Sequence, residues 1–92
     1  MYKTYLISYD VLGGANSIAY KSLREAITKA PFWAKPLESL YLIKSNQTAI
    51  EIARILQTSV GALDRIFVVE VSKDWGSLNL PQEIVEWIRN NI

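Results

Sequence analysis

Apolar positions gather from Tyr2 to Asp10 in a β-branched and aromatic run that ends near the turn signal Gly13-Gly14, which predicts a first strand. The spacing then becomes helical, with Ala19, Leu23, Ala26, Ile27 and Ala30 recurring at i, i+4, i+7, i+8 and i+11. Asn16 or Ser17 is the expected N-cap, Pro31 forces the helix to stop, and Lys21, Arg24, Glu25 and Lys29 fall on its solvent side. Phe32 to Pro36 is short, aromatic and broken by proline, which suits an edge strand. Glu38-Ser39 is the expected turn into a second full strand, Leu40 to Lys44. Thr48-x-x-Glu51 reads as a capping box that opens a second helix, whose buried stripe is Ala49, Ile52, Ala53 and Leu56. Gly61 and Asp64 end that pattern, and Arg65 to Ser72 is the last strand. Beyond a loop at Trp75-Gly76, Pro81 starts a third helix with Ile84, Val85, Ile88 and Ile92 on its apolar side.

Strand, helix, short strand, strand, helix, strand is the ferredoxin-like βαββαβ order. It predicts an α+β fold: a four-stranded antiparallel sheet with two helices on one face, plus a C-terminal helix. Residues 1–92 read as a single domain, with 1–73 as its core and 74–92 as loop and C-terminal helix.

Strand alternation divides the sheet into two faces. Tyr5, Ile7 and Tyr9 share one, and Thr4, Leu6, Ser8 and Asp10 share the other. Ile66, Val68 and Glu70 are expected beside Leu6 and Ser8, with Phe67, Val69 and Val71 opposite them. That second face is too apolar for open water and too polar for a core. Either a second copy docked sheet to sheet or the C-terminal helix folded over it explains such a composition, and the first is the expectation here. Composition points the same way. Half of the 92 residues are hydrophobic, and a domain this small buries only about 60–65% of its unfolded surface, so a homodimer through the sheet face is expected.

Charge and residue types narrow the chemistry. The net charge of +1 supplies no overall field toward nucleic acid or anionic membrane. The absence of cysteine removes disulfides, thiolate nucleophiles and zinc–thiolate sites, and the absence of histidine removes Ser-His-Asp triads and histidine acid–base catalysis. Met1-Tyr2-Lys3 runs into a strand without the regions of a signal peptide, and no apolar run has membrane length. A soluble, cytoplasmic protein without organic cofactor is the expectation.

Three segments in this order, KTYLISYD (3–10), FWAKPLESLYLIKS (32–45) and DRIFVVEVSKDWG (64–76), resemble the small CRISPR-associated Cas-two proteins and the VapD-type ribonucleases. They are most similar to the small bacterial proteins labelled SinR-like. The resemblance implies a homodimer with face-to-face sheets. It also implies that Asp10, which ends the first strand in Ser8-Tyr9-Asp10, binds a divalent metal near the two-fold axis. The family's serine before the third strand corresponds to Ser39. Where Cas-two proteins carry arginines around the start of the first helix, this chain has Gly13-Gly14-Ala15-Asn16-Ser17, with no cation before Lys21.

Asp10 is thus the candidate catalytic residue and metal ligand. Mg²⁺ or Mn²⁺ held by paired Asp10 carboxylates would polarise a phosphoryl oxygen and activate water for RNA or DNA cleavage. A turn-initiating role is the plainer reading of the same residue. Ser8 and Glu70 are supporting candidates on the Asp10 face; for Glu70 an ion pair with Lys3 or Arg65 is the simpler assignment. Trp33, Trp75 and Tyr41 beside Lys35, Lys44 and Lys73 are the candidate nucleic-acid contacts, against a simpler role in core or interface. Three functions follow: a metal-dependent endonuclease, a catalytically inactive dimeric scaffold or partner-binding module, and an RNA-binding sheet that would present Tyr41 and Phe67.

Overall fold

The computed structural model describes residues 1–92. Strands β1 (Lys3–Asp10), β2 (Trp33–Leu37), β3 (Leu40–Ser45) and β4 (Arg65–Glu70) form one sheet in the order β2-β3-β1-β4, with every neighbouring pair antiparallel. Helices α1 (Ile18–Thr28), α2 (Ala49–Gln57) and α3 (Gln82–Asn91) complete the chain. The element order and pairing are those of the ferredoxin-like plan with an added C-terminal helix.

Local chemistry sets the helix starts. The Ser17 hydroxyl accepts the Tyr20 N–H at 3.1 Å and caps α1. Gly14 turns the chain just before it at φ 74°, a conformation that disfavours any side chain. At α2, Thr48 and Glu51 form the capping box in both directions, at 3.3 and 2.8 Å.

Tyr5, Ile7 and Tyr9 of β1, with Tyr41 and Ile43 of β3, pack against Tyr20, Leu23 and Ile27 of α1 and Ile52 and Leu56 of α2. All of these are buried, and they make the helix-side core. The tyrosine at position 20 belongs to this core although the stripe expected for α1 omitted it.

The register between β1 and β4 corrects the expected faces. Tyr5 pairs with Glu70, Ile7 with Val68 and Tyr9 with Ile66, so Ile66, Val68 and Glu70 lie on the helix side. Phe67 and Val69 are the residues that share the open face with Leu6 and Ser8. The strand RIFVVE is apolar at both alternations, so its own pattern does not say which one faces the helices.

The open face is divided. Thr4 donates its hydroxyl to the Asn91 carbonyl at the end of α3, and α3 meets β2. Ala34, Leu42 and Ile88 are buried there, outside the helix-side core. The C-terminal helix therefore covers the β2–β3 half, the alternative to sheet-to-sheet docking as the cover for that half. The β1–β4 half is left with Phe67 at 64% and Val69 at 39% exposure.

Candidate functional site

Asp10 ends β1 on the open face, exposed, directly across the ladder from Arg65. The only ion pair in the chain joins Lys3 and Glu70 at 3.5 Å, so neither Asp10 nor Arg65 is engaged within 4 Å of an opposite charge. Ser8 sits two positions back on the same face, half-buried between Leu40 and Phe67. Ser39, in the β2–β3 turn, is at the same end of the sheet: its carbonyl accepts the Tyr9 N–H at 3.4 Å.

The other candidates are elsewhere. Glu70 is on the helix side at the far end, held by Lys3, the simpler of the two roles considered for it. Lys44 pairs with Thr4 at that far end, and Lys73 follows β4 beyond Glu70. Lys35 places its ammonium 5.6 Å from the centroid of Tyr41. Tyr41 is 2% exposed, stacked on Tyr9 and edge-on to Trp33, so it presents no face to a base. Asp10 and Ser8 share the open face at one end of the sheet, Ser39 lies in the turn at that end opposite Tyr9, and Lys44 and Lys73 are at the far end.

Two residues at the Asp10 end were not expected at the site, Asp64 being read only as the end of the second helix pattern and Arg65 only as a partner for Glu70. The Asp64 Oδ1 accepts the Leu12 N–H at 2.9 Å and its Oδ2 accepts the Gly61 N–H at 2.8 Å. One carboxylate thereby ties the loop leaving Asp10 to the loop entering β4. An aspartate just before a strand, three residues after a glycine, was the available signal. Replacing Asp64 with alanine is expected to cost about 1–3 kcal/mol in urea unfolding and to speed amide exchange at Leu12 and Gly61. Unchanged exchange at both amides would contradict this role.

The turn beside Asp10 is fixed from below by tyrosines. Tyr20 donates to the Glu38 carbonyl at 3.2 Å, and Tyr9 lies 3.4 Å from the Tyr20 hydroxyl. Burial pushes the Tyr9 phenol well above its ordinary value, and the bond with Tyr20 adds to the rise. Burial raises Tyr41 as well, against the opposing charge of Lys35. A raised folded-state value means that the unfolded chain ionises first. The stability from this cluster is therefore complete below about pH 10 and is lost as pH rises above it. Alkaline titration should show unfolding together with tyrosinate absorbance, and the absorbance change that accompanies unfolding should be smaller in Tyr9→Phe, where Tyr41 remains.

The donor set limits any metal. No group of three or more carboxylate, histidine or cysteine side chains converges in the chain, and both oxygens of Asp64 already accept backbone N–H bonds. Of the two aspartates at this end of the sheet, only Asp10 has both oxygens free. That fits a hydrated Mg²⁺ or Mn²⁺ only as half of a symmetric pair. Asp10 lines neither of the two main clefts, the larger of which, about 350 Å³, opens at the far end beside Ile27, Ile43 and Ile52. No family model matches the chain, and neither a curated protein nor a solved structure is significantly similar to it.

Proposed function

We propose that the chain is a Cas-two-like homodimer that cleaves phosphodiesters with a divalent metal held between the Asp10 residues of its two copies. The observation that carries this reading is the placement of Asp10. It is exposed, free of any ion pair and on the same face as Phe67 and Val69, the uncovered apolar half of the sheet. A second copy docked on that half buries Leu6, Phe67 and Val69 and brings a second Asp10 to the same seam.

When bound, Mg²⁺ or Mn²⁺ supplies polarisation of a phosphoryl oxygen and a more acidic water for attack on phosphorus. The two Asp10 carboxylates, each on a rigid strand end, would hold the ion. Ser8, half-buried on the same face, offers a hydroxyl that would orient a water at that seam. Arg65, across the ladder, takes a non-bridging phosphate oxygen, a contact its guanidinium fork suits. The chain has no histidine or cysteine, so proton transfer runs through water.

A second reading is a dimeric scaffold or partner-binding module without catalysis. Arg65 opposite Asp10 favours it, since that cation opposes the binding of a second one, and no cation lies between Asp10 and Lys21 to hold a nucleic-acid strand. Purified protein assayed on single-stranded RNA and on duplex DNA, with Mg²⁺, Mn²⁺ or chelator, separates the two. Metal-stimulated cleavage is expected; a dimer that cleaves neither substrate with either ion overturns the nuclease reading and leaves the scaffold.

A further inference from the structure

The outer edge of β4 has no partner. Val71 donates its N–H to the Thr4 carbonyl at 2.8 Å, which turns the backbone groups of Arg65, Phe67, Val69 and Val71 toward β1. By alternation, the N–H and C=O groups of Ile66, Val68 and Glu70 point outward, where no further strand follows. The two edges of the sheet differ in kind. The β2 edge carries Pro36, has an irregular register between Ala34 and Leu37, and meets α3. The β4 edge has no proline, glycine or internal charge, and exposed strands of that kind are pairing sites. A groove of about 310 Å³ runs beside it under α2, lined by Ile50, Ala53, Val60 and Ile66 together with Arg54.

We infer that this edge pairs with the β4 edge of a second copy, antiparallel about a two-fold axis at Val68, joining two four-stranded sheets into one. Residues directly opposite must share a face, and only outward-pointing residues can exchange hydrogen bonds. Val68 opposite Val68, with Ile66 opposite Glu70, satisfies both conditions. The arrangement keeps the two Arg65 ends apart, whereas parallel pairing would set like charges side by side. It lays Glu70 of the second copy next to Ile66, in the groove that Arg54 also lines. Arg54 has no carboxylate within ion-pair distance in the single chain. The groove takes the helix-side residues of the incoming strand, and Phe67 meets Val69 of the second copy on the open side. This contact is separate from docking through the open face and does not require Asp10 or a metal.

Sedimentation equilibrium on the full chain tests it with three variants, each checked for folding by circular dichroism. Val68→Pro removes an outward N–H without removing a bond to β1. Arg54→Glu changes only a surface side chain on α2 and sets it against Glu70. Ser8→Arg blocks the open face and leaves the edge intact. Self-association is expected in the wild type, weakened at least tenfold by Val68→Pro and Arg54→Glu and still present in Ser8→Arg. A monomeric wild type overturns the inference. So does association unchanged by both edge variants, or association abolished by Ser8→Arg alone.

Discussion

Replacing Ile7 with alanine is expected to lower the unfolding free energy toward the upper end of about 2–5 kcal/mol. Ile7 has no solvent exposure and sits at the middle of β1, flanked by Tyr41 on β3 and Val68 on β4. Removing its outer carbons loses their transfer free energy and leaves a cavity under both α1 and α2. Neighbours on two ladders cannot move in to fill it without breaking register. A domain of this length has about 5–14 kcal/mol of total stability, so the variant should melt well over 10 °C lower. Ile18→Ala is the control: Ile18 is 87% exposed, and its loss should stay within about 0.5 kcal/mol. Equal midpoints for the two variants in urea would show that β1 does not anchor the core.

Asp10→Asn is the corresponding large effect on activity. Asparagine keeps the shape of the side chain and removes the charge from both halves of the proposed metal seam. Loss of a residue that merely supports a metal ligand costs 10- to 100-fold, so removing the ligand itself should reduce metal-stimulated cleavage by more than about 100-fold. Stability should change little, since Asp10 is exposed and forms no ion pair, and exposed charge pairs are worth about 0–1 kcal/mol in any case. The pair of measurements matters: thermal midpoint unchanged, cleavage gone. Cleavage that survives in the folded variant would remove Asp10 from the mechanism, whatever the chain's other activities.

Much of the fold was legible because local signals agreed with one another. The capping box at Thr48 and Glu51, the stop at Pro31 and the turn at Glu38-Ser39 each placed an element boundary within a residue or two. The face of β4 was not legible. Ile66, Phe67, Val68 and Val69 offer apolar groups on both sides, so only pairing with β1, itself set by the packing of Tyr5, Ile7 and Tyr9, decides which side the helices cover. The position of α3 was equally hidden. Its apolar side, Ile84, Val85 and Ile88, states that it must be buried but not against what. For the candidate site, the sequence pointed to Asp10 through its place at a strand end. Arg65 and Asp64 emerged only when the ladder and the two loops were brought together, because nothing local links residues so far apart along the chain.

The central position of β1 also bears on how the protein is made. Tyr5 must pair with Ile43 on one side and with Glu70 on the other, so the first of these four strands to be made is the last to have both edges satisfied. At ~5–20 residues per second, roughly 3–13 s separate the synthesis of Tyr5 from that of Glu70. Throughout that interval TYLISYD, a strongly β-prone stretch, has at least the edge that β4 will cover unpaired, and Asp10 is its sole charge. Asp10 is therefore also the gatekeeper of that stretch, a burden on the same carboxylate that exists before the sheet does.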